Sequence, residues 1–322
     1  MTAHAKVVII GGGPAAYTAA LYAARAGLEP VCFEGFNSGG QIARSGRLDN
    51  YPGLPGINGA DLGSTIRDQA TEYGATFEFS DVFEIELGST PFRLTGMDGE
   101  HTADVVIVAT GAASRKLGLP SEEALDGKGV AYCAICDGPV FAGKSVVVVG
   151  GGDAAVGEAL ALRHVVGKVT LVHRRTAFRA GAVLRAALAA ATDIEVVTPA
   201  VVEDILGVEA GGVTGVRVRM VDDGTLRDLD AEGVFVAIGH EPASQLFQPW
   251  LKCDGSGFII TEPGTTATNV PGVFAAGDVA DPRYRQAVTA AASGCQAAID
   301  AERYLVGRDF LTAATDPSHP TI

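Results

Sequence analysis

A repeated unit constrains this chain more than anything else in it. Val7-Val8-Ile9-Ile10 is a short β-branched run that leads into Gly11-x-Gly13-x-x-Ala16 and then into a helical pattern reaching Gly27. Tyr17, Ala20, Leu21 and Ala24 fall on one helical face, Gly27 is a natural stop, and Val31-Cys32-Phe33 follows as a second strand ending on Glu34. The pattern returns at Val146 to Val149, with Gly150-x-Gly152-x-x-Ala155, a helix to about Val166 and a strand from Val169 to His173. Strand, glycine turn and helix in this order form a dinucleotide cradle. The first glycine makes the tight turn, the second lets a pyrophosphate approach the backbone, and a small third residue lets helix and strand pack closely. The phosphate lies over the helix N-terminus, where N–H groups and the dipole favour an anion. Candidate phosphate-loop residues are Gly11, Gly13, Pro14 and Ala15 in the first copy and Gly150, Gly152, Asp153 and Ala155 in the second. One such string alone is a weak signal; two, each in its strand–helix context, are specific.

The copies differ where they select a ligand. Twenty-three residues after the first glycine stands Glu34 in copy one and His173 in copy two. An acid at that place hydrogen-bonds ribose hydroxyls, as in FAD or NAD sites. Copy two offers His173-Arg174-Arg175, with Arg179 shortly after. A carboxylate repels a 2′-phosphate and arginine forks bind one, so copy two reads as an NADPH site. Elsewhere in a chain the same arginines would read as a solvated face.

A second echo supports duplication. Asp104 to Gly111, ending in Thr110-Gly111, resembles Gly233 to Gly239, so each unit runs from a phosphate loop to a strand entering a glycine turn. Alternating patterns between Thr76 and Leu94, and between Ile194 and Arg219, suggest smaller antiparallel sheets. Gly272 to Asp278 is a third buried strand ending in a glycine and an acid, followed by a helix from about Gln286 to Leu305. Two-domain FAD proteins return to the first domain through such a strand, whose Asp hydrogen-bonds flavin sugar hydroxyls. The expected fold is therefore α/β, with two Rossmann-like dinucleotide-binding domains, the NADPH domain (116–245) inserted into a discontinuous FAD domain (1–115 and 246–322). A chain of 322 residues suits two such cores. Hinges are expected near Ser114–Pro120 and Gly239–Ser244, and the tail after Gly307 has little apolar periodicity.

Chemistry enters with Tyr132-Cys133-Ala134-Ile135-Cys136-Asp137-Gly138. Two cysteines three apart at a helix start close a small disulfide, and a helix dipole lowers a thiol pKa there. The adjacent Asp137 is placed for general acid–base work. Zinc would need two further ligands, and no second Cys-x-x-Cys or Cys/His pair follows. An inert buried pair is the other reading. Cys32 and Cys295 read as packing residues, and Cys253 takes no role. Five cysteines without a disulfide framework suit a reducing cytoplasm, as does an N-terminus with no long apolar segment. The formal net charge of −14 argues against nucleic acid, and no apolar run is long enough to span a membrane.

Taken together, Gly11-Gly12-Gly13-Pro14-Ala15, Gly39-Gly40-Gln41, Cys133-Ala134-Ile135-Cys136-Asp137-Gly138, His173-Arg174-Arg175, Phe178-Arg179-Ala180, Gly277-Asp278 and Arg285-Gln286-Ala287 closely resemble the bacterial-type, low-molecular-weight thioredoxin reductases, in unbroken order from about Lys6 to Leu305. The resemblance implies a homodimer with FAD and NADPH in each chain, and thioredoxin or a thioredoxin-like protein as partner. It implies that Gln41, Asn50, Asp278, Gln286 and Ala287 contact FAD, with Gly40, Thr110, Gly111, Gly277 and Arg285 beside them. It also implies that Cys136 is the thiol nearest the flavin, that Cys133 attacks the partner, and that the two domains rotate against each other between half-reactions. Three places depart from the family. Ala43 to Leu48 replaces a Thr-rich stretch, Pro139 and Val140 stand where aromatics are common, and Thr176 stands where an Asp often follows the arginines. Two rivals remain: an oxygen-using dithiol oxidase, which lacks a phosphate cluster such as Arg174, Arg175 and Arg179, and a non-catalytic nucleotide sensor, which needs no cysteine pair.

Overall fold

The computed structural model of the chain describes residues 3–315. They fall into two units, Met1–Ala113 with Glu241–Ile322, and Ser114–His240. The chain therefore crosses at 113/114 and 240/241, two and five residues ahead of the boundaries expected from the sequence.

In the first unit, β1 (Ala3–Ile10) feeds α1 (Pro14–Arg25), β2 (Val31–Phe33), α2 (Gly59–Glu72) and β3 (Thr76–Glu78), and then β4 (Val82–Glu86), β5 (Phe92–Gly96) and β6 (Gly99–Val108). The returning segment adds β17 (Val273–Ala275) and α7 (Ala287–Thr315). One mixed seven-stranded sheet results, ordered β3-β2-β1-β6-β5-β4, with β17 also pairing β6. β6 takes this many partners because it is ten residues long. Its early residues pair antiparallel with β5, its last three pair parallel with β17, and its other edge runs parallel to β1 from Ala3 to Ile10. The strands between Thr76 and Leu94 are thus part of the main sheet, not a separate small one, and β1 starts four residues before Val7. Alanines of α1 and α7 pack with Val7, Ile9, Val105 and Ile107 on one sheet face. α7 continues past Gly307 to Thr315, and the remainder of the tail lies outside the described residues.

The second unit repeats the plan. After β7 (Ala112–Ser114), α3 (Pro120–Ala124), β8 (Val130–Ala131) and α4 (Ala134–Asp137) come β9 (Ser145–Val149), α5 (Asp153–Leu162), β10 (Lys168–Val172), α6 (Ala182–Ala190) and β11 (Ile194–Val197). Then follow β12 (Ala200–Leu206), β13 (Gly215–Met220), β14 (Leu226–Asp230), β15 (Gly233–Val236) and β16 (His240–Pro242). The parallel sheet is ordered β11-β10-β9-β15-β8. Its first four strands match β3-β2-β1-β6 of the other unit, the order of a Rossmann mononucleotide half. β12-β13-β14 form a separate antiparallel sheet, whereas Ile194–Val197 belongs to the parallel one. α5 stops at Leu162, short of the expected Val166, because Val165 and Val166 both donate to the Leu162 carbonyl in a closing turn. Valines of the strands are buried on both sheet faces, packed with alanines of α5 on one and with other valines on the other, as parallel strands covered on both sides require.

Candidate functional site

The first glycine turn is built to exclude side chains. Gly11 has φ +137°, and a Cβ on it would strike the Ala109 carbonyl. Gly13, the N-cap of α1, has extended backbone and no side-chain cap, and Pro14 occupies the first helical position. A second turn, Gly39-Gly40, faces it: a Cβ on Gly40 (φ +64°) would lie 3.0 Å from the Gly13 Cα. Uncapped N–H groups at a helix N-terminus, approached only by glycine backbone, fit the pyrophosphate of FAD. Ala15 and Gly277 pack against each other behind this turn, and Gly277 N–H donates to Ser293 Oγ at 2.8 Å.

Glu34 has partners that the sequence did not reveal. It is 5% exposed, Arg67 donates to both its carboxylate oxygens (2.9 and 3.0 Å), and Tyr17 OH donates to Oε2 at 2.8 Å. Tyr17 OH in turn accepts from the Gly39 N–H at 3.0 Å. The acid expected beside the ribose is thus also the anchor that holds the second glycine turn. Burial, with Glu34 beside it, pushes the Tyr17 hydroxyl far above its ordinary pKa, so it remains a donor.

Asn50 and Gln286, 236 residues apart, come together, with Asn50 Nδ2 donating to Gln286 Oε1 at 3.4 Å. Gln286 also donates to the Tyr284 and Arg285 carbonyls, and Ala287 opens α7. Arg285 has φ +48°, a strained value for a side-chain-bearing residue, and Asp281 accepts from its N–H. Burial, and then the Asp281 carboxylate, push Asp278 up to about 6 against the opposing Arg285. Thr110 Oγ1 donates to the Ala243 carbonyl at 2.7 Å, and Gly111 has φ +75°. Gln41 is exposed on the turn of residues 40–44.

In the second unit Gly150 (φ +149°) has no room for a Cβ between Ala237 and Ala155, while Gly152, the uncapped N-cap of α5, is open. That openness fits the NADPH pyrophosphate. The sequence groups His173 with the arginines; the structure separates them. Arg174, Arg175 and Arg179 are exposed, whereas His173 is 5% exposed and stacked on Phe178 at 5.1 Å. A Cβ on Gly151 would enter its ring, and burial lowers its pKa, so a neutral imidazole packs under the turn. Of these four residues only the arginines present charge to solvent.

Cys133 and Cys136 form a disulfide with Cα atoms 5.3 Å apart, within the second unit. α4 is a single turn, too short for the dipole expected from the sequence to amount to much. The local donor is the Cys136 N–H, 3.2 Å from Cys133 Sγ, which would favour a thiolate on Cys133 after reduction. Asp137 is held above its ordinary pKa by burial. Ile135 and Val140 flank the disulfide at 71% and 68% exposure, an apolar surface beside reactive sulfur.

Residues 5–294 match the pyridine nucleotide-disulphide oxidoreductase family. The thioredoxin reductase of Coxiella burnetii is 46% identical over 310 residues, covering 94% of this chain and 97% of that protein. A Pseudomonas fluorescens protein named glucosaminate ammonia-lyase is 45% identical over 312 residues, covering 94% and 97% respectively. The solved structure of a thioredoxin reductase from Giardia duodenalis aligns with a TM-score of 0.90 at 39% identity, covering 95% of this chain and 100% of that one.

Proposed function

This chain belongs to the pyridine nucleotide-disulphide oxidoreductase family and is an FAD- and NADPH-dependent disulfide reductase, and we propose that the disulfide it reduces is that of a thioredoxin or thioredoxin-like protein. The Cys133–Cys136 disulfide, flanked by exposed Ile135 and Val140 in a chain with two nucleotide cradles, carries the reading.

Gly11, Gly13, Pro14 and Ala15 hold the FAD pyrophosphate, with Glu34, Gly40, Gln41, Asn50, Thr110, Gly111, Gly277, Asp278, Arg285, Gln286 and Ala287 completing that side. Gly150, Gly152, Asp153 and Ala155 form the second cradle, over His173, and Arg174, Arg175 and Arg179 take the 2′-phosphate. The bound nucleotides supply the electron pair. Cys133–Cys136 takes up two electrons and two protons and opens to a dithiol. Cys133 thiolate attacks the partner disulfide, giving a mixed disulfide and a partner thiol. Cys136 then attacks Cys133 Sγ, releasing the second partner thiol and restoring Cys133–Cys136. Asp137 exchanges the protons. The family supports a homodimer. The cysteine usage supports the cytoplasm, and among the described residues no helix is long and apolar enough to cross a membrane.

The test is NADPH oxidation by the purified protein with a panel of oxidised thioredoxins from the same cell. Rapid turnover with at least one is expected. Ammonia release from glucosaminate, with no thioredoxin-dependent NADPH oxidation, would overturn the reading.

A further inference from the structure

We propose that Asp153 is a positioning residue that sets nucleotide choice: its carboxylate fastens the segment carrying Arg179 to the second glycine turn, so the arginine is held where a 2′-phosphate lies. The proposal rests on reading Arg174, Arg175 and Arg179 as the seat of that phosphate.

Residues 177–181 form a strap over the glycine turn. Arg179 and Ala180 donate their backbone N–H groups to the Gly151 carbonyl at 2.8 and 3.2 Å. Gly181 donates its N–H to Asp153 Oδ1 at 2.7 Å. Phe178 of the strap stacks on His173, whose ring fills the space under Gly151. The strap is thus tied on both sides of Arg179, and Asp153 is the side chain that ties its far end. Backbone carbonyls are present whatever the sequence; the Asp153 carboxylate is present because of one residue.

The first glycine turn is an internal control. Three residues after its first glycine stands Pro14, which offers no side-chain acceptor. A dinucleotide turn therefore forms without an acid at this position, and the first copy has no arginine strap to fasten. A carboxylate at the N-terminus of a phosphate-binding helix also opposes the anion. Accepting from Gly181 gives Asp153 a use specific to the copy that carries the arginines. Loss of the tie loosens Arg179 while leaving Gly150 and Gly152 in place, so recognition of the 2′-phosphate suffers relative to binding of the rest of the nucleotide.

Binding of 2′,5′-ADP and of 5′-AMP to the FAD-loaded protein, measured by calorimetry, tests this without turnover. The ratio of the two affinities isolates the 2′-phosphate. Asp153→Ala is expected to lower that ratio about two- to tenfold, the worth of one exposed hydrogen bond. Asp153→Asn keeps an acceptor oxygen and is expected to hold the ratio within about twofold. Arg179→Ala lowers the ratio by itself, and adding Asp153→Ala to it is expected to lower it no further, because the acid acts through the arginine. An unchanged ratio in Asp153→Ala, or a further loss in the Arg179→Ala background, overturns the proposal. So does an equal rise for both ligands in Ala and Asn variants alike, which marks a charge effect. A native protein that binds 2′,5′-ADP no better than 5′-AMP instead overturns the phosphate reading beneath it.

Discussion

Asp137 and Asp278 show how burial equips single carboxyls for different work. Asp137 lies next to the disulfide and burial holds its pKa above the ordinary range, so it keeps a proton closer to neutral pH than an exposed carboxyl would. Asp137→Asn is expected to leave NADPH-driven bleaching of the flavin intact and to slow partner reduction by about 10²–10⁴. Cys133→Ser and Cys136→Ser should likewise bleach yet fail to turn over. Stopped-flow absorbance and steady-state assays separate the two steps, and a fast Cys133→Ser enzyme would sink the dithiol mechanism. Asp278, pushed up to about 6 from 3.8, favours its protonated form in the fold. That stabilisation is fully present below pH 3.8 and is lost as pH rises through about 6. The rise from 3.8 to about 6 corresponds to about 3 kcal/mol. Flavin-free Asp278→Asn protein is therefore expected to melt above the flavin-free native protein at pH 7.5, to lose that advantage near pH 4, and to bind FAD more weakly. Melting curves at both pH values, with a flavin titration, check the sign.

Packing between elements sets tighter limits than any one hydrogen bond. α1 and α7 cross where a Cβ on Gly294 would enter the Ala15 carbonyl, one residue beyond Pro14 of the first phosphate turn. Gly294→Ala is expected to cost about 1–3 kcal/mol through overpacking and to lower flavin occupancy with it. Gly307→Ala, on the same helix with open space around it, is the control: it should leave flavin content unchanged and gain up to about 1 kcal/mol from helix propensity. Thermal melts and the flavin-to-protein absorbance ratio decide between them. The glycine turns, the distal Glu34 and arginines, and the Cys-x-x-Cys were legible because short-range geometry fixes their spacing along the chain. Arg67 was not, since it reaches Glu34 from α2 across 33 residues and no local period announces it. Nor was the Asp153–Gly181 tie, which joins the first residue of α5 to the N-cap of α6, 28 residues further on. The burial of His173 against Gly151 and Phe178, apart from the exposed arginines that follow it, is not legible either, because it is a tertiary fact. The mixed sheet is not legible for a similar reason: the length of β6, which lets one strand pair with β5 and β17 along a single edge, shows only when the partners are in place.

At the scale of the whole molecule, the chain assigns its chemistry to different units. The first glycine turn and Asp278 lie in the unit of residues 1–113 and 241–322, whereas Cys133, Cys136, Gly150 and the arginines lie in residues 114–240. The disulfide lies in the second unit, and on the proposed assignment the nicotinamide rides on that same unit while the flavin that both must meet is held by the other. The dithiol must afterwards reach a protein-sized partner, which cannot enter a flavin pocket. A single fixed arrangement could serve one of these encounters but not all three in turn. The chain passes between the units only twice, through segments containing β7 and β16, so rotation about the two crossings would disturb neither sheet core. The expectation is that the units alternate between two orientations during turnover. An engineered cross-link between them should leave either NADPH bleaching of the flavin or flavin-dependent opening of Cys133–Cys136, and abolish the other. Single-turnover absorbance reads the first, and thiol titration after photoreduction of the flavin reads the second. Reduction of the cross-link should restore both. Full steady-state turnover by protein shown to be completely cross-linked would mean that one arrangement suffices, and that the disulfide, the nicotinamide and the partner share the flavin without rotation.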